Sequence, residues 1–351
     1  MGKKKKQNRT VSMRLAEAVE ATAPTRIDLA GGTVDLWPLY LFHPGSVTVN
    51  AAINLRVRVQ LVPTRGSAIR LIDQNADRTV LWPGPAKIPA RTRYELFGQV
   101  LRHFAVNQGL RIRFHHEAPK GAGLAGSSAL LVALCGALMR SAKQGMGRDR
   151  FLALVRDIET RLIEVPAGMQ DYYPALWGGI QALWWRPGGV LRESLPTLPG
   201  ELEKRLLLVY TGTSRHSGTN NWEVFKRHLD GDRKVRRMFD GIVEAAQEMV
   251  SALRKGDFGG VGRAMAAEGA ARKRLFPGIV TRGIHDLERA LGPLGAMGTK
   301  VCGAGGGGCV VVYADPEQRS RLAEKIRERG FSLLPFKIVR KGLSLRRIEG
   351  G

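Results

Sequence analysis

Glycines and serines between residues 119 and 129 indicate a site that holds phosphate. The segment reads Pro-Lys-Gly-Ala-Gly-Leu-Ala-Gly-Ser-Ser-Ala, and it lies between an alternating strand pattern and an apolar run at 130–139. Glycine-rich turns let backbone N–H groups converge at a helix start, where they and the helix dipole bind anions. Ser127 and Ser128 follow the last glycine, where serine either caps a helix or supplies a hydroxyl ligand to Mg²⁺.

Two common phosphate-binding motifs fit this segment only in part. Gly121, Gly123 and Gly126 match the dinucleotide fingerprint, but residues 141–148 are polar and turn-like where a second strand is required. Gly121 and Gly126 also match the ends of a P-loop whose lysine is missing. The sequence therefore argues against a Rossmann site and a Walker NTPase, and it leaves a glycine-rich phosphate loop of another kind.

Three segments together resemble the GHMP kinases, a family that includes galactokinase, homoserine kinase and mevalonate kinase. The loop at 119–129 resembles the family's Pro-x-x-x-Gly-Leu-x-Ser-Ser-Ala motif, residues 23–35 resemble its N-terminal substrate motif, and residues 300–309 resemble its C-terminal glycine motif. The resemblance implies an α+β, two-domain GHMP-kinase-like fold with an N-terminal mixed α/β domain and a C-terminal ferredoxin-like α+β domain. It also implies ATP and Mg²⁺ as cofactors.

The same resemblance assigns the catalytic roles. Glu159 would be the family's metal-binding glutamate at a helix end, and Asp171 its catalytic aspartate, although composition alone favours an ordinary turn carboxylate for Asp171. Asp171 would act as base or orient the acceptor hydroxyl, while Arg26 would keep it ionised and stabilise charge on the acceptor oxygen. Ser127 and Glu159 would bind Mg²⁺, with Ser128 as the alternative serine.

Phosphate and acceptor contacts are implied in the same way. The ATP phosphates would lie against Gly121, Gly123, Leu124, Ala125, Gly126, Ser127 and Ser128. The acceptor site would include Gly31, Gly32, Thr33, Asp35, Gly168, Gln170, Arg215, Lys300, Gly305, Gly306 and Gly307.

The N-terminal motif favours a sugar as the acceptor. Asp35 matches an aspartate that binds sugar hydroxyls in the galactokinase branch, and the Gly-Gly-x-x-Asp form resembles the heptose-phosphate and fucose kinases. Val34 and Glu164 depart from the heptose-kinase pattern. We therefore predict ATP-dependent phosphorylation of a sugar or sugar phosphate, with a heptose 7-phosphate favoured. The alternatives are a mevalonate- or homoserine-like alcohol, or a non-catalytic nucleotide- or nucleic-acid-binding protein.

Composition and charge limit the partners. The net charge of +24 favours anionic partners, and Arg215 and Lys300 are the predicted contacts for a distal substrate phosphate. We expect no nucleic acid, because the chain shows no nucleic-acid motif and only 7% aromatic residues, and no membrane, because no long apolar run is present. Three cysteines are too few for a disulfide framework or a zinc site, so we expect the reducing cytoplasm as the location. A monomer or a homodimer is expected.

The elements that must position these residues follow from hydrophobic periodicity. We expect strands over 46–62, 111–115, 205–210 and 309–313 and from Phe331, and helices over 130–139, 148–163, 235–254, 261–275, 281–291 and 316–329. Residues 1–12 are predicted to be a disordered basic tail, and residues 187–200 a linker rich in proline and glycine. The predicted domains are then residues 13–200 and 201–351.

Overall fold

A computed structural model describes residues 13–213 and 219–349, which form two β-sheets with helices packed against them. The strands are β1 Val19–Ala30, β2 Val47–Thr64, β3 Ile69–Asp73, β4 Arg78–Trp82, β5 Gly109–His116, β6 Ile180–Arg186, β7 Gly189–Ser194, β8 Leu206–Tyr210, β9 Ala296–Val301, β10 Cys309–Ala314, β11 Ser332–Leu333 and β12 Ser344–Arg347. The helices are α1 Glu95–His103, α2 Gly126–Ser141, α3 Arg148–Ile163, α4 Tyr172–Trp177, α5 Pro199–Glu203, α6 Thr219–Leu229, α7 Arg233–Lys255, α8 Phe258–Leu275, α9 Arg282–Leu291 and α10 Arg319–Glu328.

The first sheet has the order β12-β1-β2-β5-β3-β4, and β6 extends it by pairing with β2 and β7. Strand β2 shows why the sequence pattern predicts this sheet: Val57, Val59 and Leu61 are buried, whereas Arg58 between them is exposed. Side chains alternate between the two faces of a strand, so one face of β2 packs into the core. That core includes α2, which is apolar nearly all round and almost entirely buried, as expected for a central helix.

The second sheet has the order β11-β8-β10-β9, and all of its strand pairs are antiparallel. The chain runs from β8 through helices to the β9–β10 pair, and then through α10 to β11. This βαββαβ succession corresponds to the predicted ferredoxin-like arrangement. Helices α7 and α8 pack together and connect this sheet to the first.

Two features differ from the sequence-based expectation. The predicted linker at 187–200 contains strand β7 and the start of α5, because Gly188, with φ of +83°, forms a tight turn between β6 and β7. Strand β12 pairs with β1, so the end of the predicted second domain, 201–351, lies in the first sheet. Both segments are short and largely polar or exposed, and short segments of this kind carry little periodic signal. The predicted tail, residues 1–12, lies outside the described residues.

Candidate active site

A cavity of about 860 Å³ lies where the two halves of the chain meet. Its wall includes β1, the end of α3, the turn at 165–171 and one side of α6. It also includes residues of the first glycine loop, 119–126, and of the second glycine loop, 303–308. The volume lies within the range of small-molecule and cofactor sites. Most of the predicted site residues face this cavity, including Arg26, Thr33, Asp35, Glu159 and Asp171.

Arg26 connects the predicted catalytic carboxylate to the first glycine loop. Its Nε and Nη2 donate to Oδ1 of Asp171 at 2.9 and 2.7 Å, and its Nη1 donates to the carbonyl oxygen of Gly123 at 2.7 Å. Burial acts to lower the pKa of Arg26, but the carboxylates of Asp171 and Asp28 outweigh this and raise it. Arg26 is 3% exposed, so the guanidinium is held rigidly between these partners.

The first glycine loop leaves the start of α2 open to an anion. Gly121 and Gly123 have φ of +71° and +75°, and Ala125 has φ of +61°. No side chain caps α2, so within this described segment its first N–H groups have no side-chain acceptor. An uncapped helix start beside a tight glycine turn fits a bound phosphate group.

The second glycine loop, residues 303–308, packs against the first. The backbone N–H of Cys309 donates to the carbonyl oxygen of Ala122 at 2.8 Å, and a Cβ at Gly308 would lie 2.8 Å from the same oxygen. Gly303 and Ala304 line the cavity. The predicted contacts Gly305, Gly306 and Gly307 instead lie against Ile279 and Thr213.

Ser128, the alternative to Ser127 as the predicted magnesium-binding serine, contacts Glu159. The hydroxyl of Ser128 lies 3.1 Å from each carboxylate oxygen of Glu159, and the hydroxyl of Tyr172 also donates to Glu159. Burial raises the pKa of Glu159 to about 7, and the Tyr172 hydrogen bond opposes that rise. No contact between Ser127 and Glu159 is seen in the described residues, so Ser128, the alternative serine, is the better placed of the two.

These groups fit Mg²⁺ as a partial ligand set. Within residues 13–213 and 219–349, no group of three or more His, Cys, Asp or Glu side chains is arranged to hold a metal. Mg²⁺ in kinases commonly takes only one or two protein ligands and completes its shell with phosphate oxygens and water. A hydroxyl and a buried carboxylate beside a phosphate loop are consistent with that chemistry.

Asp35 lines the part of the cavity that is predicted to bind the acceptor, named here the acceptor end. It is 4% exposed. Its carboxylate accepts hydrogen bonds from two groups of Gln170, the backbone N–H at 3.0 Å and the side-chain amide at 3.4 Å. Burial raises the pKa of Asp35 to about 7. Gly168 must be glycine for this contact, because a Cβ there would lie 2.2 Å from Asp35 Oδ2.

The loop that carries Asp35 is fixed from both halves of the chain. A Cβ at Gly31 would lie 2.0 Å from the carbonyl oxygen of Val47, and a Cβ at Gly32 would lie 2.3 Å from Asp28 Oδ2. Arg272 in α8 donates to the carbonyl oxygen of Gly32 at 2.7 Å and to the hydroxyl of Thr33 at 3.3 Å. Gly31 and Gly32 thus shape the loop from behind and are not among the residues that line the cavity.

The assignment of Lys300 to a substrate phosphate is wrong. Its ammonium group is fully buried, 2.9 Å from Asp28 Oδ2 and 3.3 Å from Glu268 Oε1. Burial acts to raise the pKa of Asp28, but Lys300, Arg272 and Arg26 lower it below its usual value. A lysine already paired with two buried carboxylates cannot reach a ligand. The other predicted phosphate contact, Arg215, lies outside the described residues.

Sequence reasoning missed two parts of the cavity wall. Asn221, Trp222 and Phe225 of α6 line the acceptor end, and no motif marks them. Asp73, Arg93 and Tyr94 also line the cavity, and the buried carboxylate of Asp73 accepts from Arg93 at 3.0 Å and from the hydroxyl of Tyr94 at 3.2 Å. The sequence around these residues is a polar loop whose role emerges only when the sheet brings it to the cavity.

The fold and the site together define a two-domain small-molecule phosphotransferase. The model for the GHMP kinases N terminal domain matches residues 93–179, and the model for the GHMP kinases C terminal domain matches residues 249–331. The chain therefore belongs to the GHMP kinases, which are ATP-dependent small-molecule kinases. No helix in the described part of the chain is long and apolar enough to span a membrane.

Individual relatives are distant in sequence, but the matches cover more than nine-tenths of the chain. The chain is 23% identical over 341 residues to a D-glycero-alpha-D-manno-heptose 7-phosphate kinase of Campylobacter jejuni. The match covers 95% of this chain and 100% of that protein. It is 28% identical over 352 residues to a mevalonate kinase of Thermococcus sibiricus, covering 93% of this chain and 98% of that protein. Its fold is similar to a D-glycero-D-manno-heptose 1-phosphate kinase from Bacteroides thetaiotaomicron, with a TM-score of 0.76, 21% identity and coverage of 94% and 99%.

Proposed function

We propose that this protein transfers the γ-phosphoryl group of ATP to a hydroxyl of a sugar phosphate, with a heptose 7-phosphate as the favoured acceptor. The observation that carries the proposal is the position of Arg26, whose guanidinium contacts both Asp171 and the carbonyl of Gly123. One buried cation therefore fixes the distance between the acceptor-activating carboxylate and the phosphate loop. Phosphoryl transfer depends chiefly on such positioning and on charge stabilisation.

Each protein group has a distinct role in this proposal. The Asp171 carboxylate accepts the proton or the hydrogen bond of the acceptor hydroxyl, and Arg26 holds that carboxylate in place. The open N–H groups at the start of α2 hold the phosphates of the donor. Ser128 and Glu159 would hold Mg²⁺, which neutralises phosphate charge when bound.

The acceptor is proposed to be a sugar because of the groups near Asp35. A buried carboxylate and the amide of Gln170 are suited to hydrogen bonds with neighbouring hydroxyls. The relationship to a heptose 7-phosphate kinase favours a phosphorylated sugar. We further propose that the reaction takes place in the cytoplasm, in a monomer or homodimer.

A mevalonate-like acceptor is the second candidate, favoured by the 28% identity to an archaeal mevalonate kinase. That acceptor is acyclic and has no pair of hydroxyls on adjacent carbons for the carboxylate of Asp35 and the amide of Gln170 to bind. This candidate therefore fits the cavity less well.

Coupled detection of ADP release separates these functions. The purified protein is assayed with ATP, Mg²⁺ and, in turn, heptoses, hexoses, their phosphates, mevalonate and homoserine. We expect the highest kcat/KM with a heptose 7-phosphate, and a lower value for the unphosphorylated sugar. Turnover of mevalonate alone would overturn the sugar assignment, and no turnover with any acceptor would overturn the kinase assignment.

A further inference from the structure

One side of the cavity is an aromatic surface that the roles above do not use. Trp222 and Phe225 lie three residues apart in α6, so they lie on the same side of that helix. Their rings are stacked, with centroids 5.5 Å apart and an angle of 18° between the planes. Both residues line the cavity; Phe225 is buried, whereas Trp222 remains 40% exposed.

This aromatic pair is held beside the loop that carries Asp35. Phe225 belongs to the same apolar cluster as Val34 and Leu36, the two neighbours of Asp35 in the chain. Asn221, which precedes Trp222, lies with its side-chain oxygen 3.4 Å from the hydroxyl of Thr33. The neighbours of Trp222 in α6 are therefore packed against the loop that carries Asp35, and the indole lines the same cavity as that carboxylate.

The chemistry of the two surfaces together selects a class of acceptor. Asp35 and Gln170 suit neighbouring hydroxyls, whereas a flat, partly exposed indole suits an apolar face of similar size. A pyranose ring presents both, since its hydroxyls project around the rim while C–H groups cover one face. An acyclic alcohol offers no flat face to cover the indole.

We propose that Trp222 stacks against the C–H face of a cyclic sugar and so selects ring sugars over acyclic alcohols. This inference rests on the proposed kinase function, because it assigns a specificity residue to the same acceptor site. Phe225 supports the indole from behind and fixes its plane. Stacking contributes to binding of the acceptor, and no hydrogen bond joins Trp222 to Asp171 or Arg26 in the described structure.

The test combines kinetics with three substitutions at one position. With D-glycero-D-manno-heptose 7-phosphate as acceptor, we expect Trp222→Ala to raise its KM about tenfold, with much smaller effects on kcat and on the KM for ATP. Trp222→Phe keeps an aromatic plane and should stay within about threefold of wild type. Trp222→Leu keeps apolar bulk without a plane and should resemble Trp222→Ala. The control is Leu229→Ala, an exposed apolar residue of the same helix that does not line the cavity.

A binding titration without ATP separates failure of this inference from failure of the kinase assignment. We expect the sugar phosphate to change the tryptophan emission of the wild-type protein, and the change to be strongly reduced in Trp222→Phe. If the sugar phosphate is a substrate but Trp222→Ala leaves its KM unchanged, the stacking role is wrong while the kinase function stands. If Leu229→Ala raises KM equally, the effect belongs to the stability of α6, and the stacking role is likewise wrong. If no sugar changes the emission, or if mevalonate is the better acceptor, the selection of ring sugars is overturned.

Discussion

Arg26 and Asp35 are two buried side chains that line the cavity, and their surroundings differ. Arg26 has carboxylate and carbonyl partners within 3 Å, so its position is determined on two sides. The Asp35 carboxylate accepts hydrogen bonds from Gln170 and from its own backbone N–H, and no ion pair to it is seen in the described residues. The two residues therefore differ in kind: Arg26 is a fixed charge, and Asp35 is a titrating group.

Asp35 makes protein stability depend on pH in a defined direction. Its folded-state pKa of about 7 lies above the ordinary value of 3.8, so between these pH values the folded protein keeps a proton that the unfolded chain has lost. The contribution of Asp35 to stability is therefore present below pH 3.8 and is lost as the pH rises to about 7. Asp35→Asn carries no such charge. We expect the free energy of unfolding of Asp35→Asn, relative to that of the wild type, to increase by on the order of 2 kcal/mol between pH 5 and pH 8.

Urea denaturation of both proteins at the two pH values measures this difference, and the exposed Asp230→Asn is the control. A stability difference that stays constant with pH would contradict the raised pKa of Asp35.

The two serines at the start of α2 can be separated by their magnesium requirement. Ser128 contacts Glu159, and Ser127 makes no such contact in the described residues. We expect Ser128→Ala to raise the Mg²⁺ concentration for half-maximal activity by about tenfold or more, and Ser127→Ala to have a much smaller effect. Titrating activity with Mg²⁺ at fixed ATP gives the comparison. A larger effect in Ser127→Ala would restore the original assignment of that serine.

At the level of the elements, the turn between α3 and α4 carries residues for which we propose catalytic and acceptor-binding roles. It carries Gly168, Gln170 and Asp171 within four residues. A change in the backbone conformation of this turn should therefore shift Asp171 and also disturb the contacts that Gly168 and Gln170 make with Asp35. Gly168→Ala would place a Cβ 2.2 Å from Asp35 Oδ2 and must displace that carboxylate. We expect the KM for the acceptor to rise by about tenfold to a hundredfold, because misplacement by 1 Å is costly in such sites.

Steady-state kinetics with each substrate varied in turn measures the effect, and the KM for ATP should change little. Gly145→Ala is the matched control, since a Cβ there meets nothing within 4 Å. Equal changes in both KM values would contradict a local effect on Asp35.

The elements that the sequence predicts well are those with a strong period. The alternation in β2, the apolar run of α2 and the amphipathic α3 were identified within a few residues of their ends, because each buries a regular face. The fold also brings the motif residues Arg26, Asp171 and Glu159 to one cavity, as the sequence predicts. Their positions follow from local patterns that the family resemblance identifies.

The features that the sequence did not predict depend on contacts between distant segments. In the sequence, Lys300 lies beside a glycine loop with no acidic partner nearby. In the fold it pairs with Asp28, which is 272 residues away in the chain. Trp222 has no neighbours in the sequence that mark a site, and it reaches the cavity only because α6 packs against residues 34–36. Strand β12 is four exposed residues long, too short for a periodic signal.

At the scale of the whole molecule, a buried ionic network joins the two halves. Lys300 and Arg272 come from the second half, Asp28 from β1, and Glu268 from α8 accepts from both cations. Every member is nearly inaccessible to water, so removal of one partner leaves a buried charge without compensation. The network thereby holds the second half against the strand that carries Arg26.

Lys300→Met should lower the free energy of unfolding by about 3–5 kcal/mol, because Asp28 loses its closest cation. Adding Asp28→Asn should recover part of this loss, since the uncompensated charge is then removed. Denaturation by urea measures both, with the exposed Lys255→Met as control. Wild-type stability in Lys300→Met would show that the network contributes nothing to the joining of the two halves.

The substitution Asp171→Asn tests whether this carboxylate takes part in phosphoryl transfer, because it keeps the size of the side chain and removes its charge. We expect kcat to fall by about a hundredfold or more, the usual contribution of a positioned acid–base group, while the affinity for ATP stays close to that of wild type. Asp157→Asn, an exposed carboxylate in α3, should leave both unchanged. Near-normal turnover in Asp171→Asn, with the fold intact, would contradict the account and remove this carboxylate from the reaction.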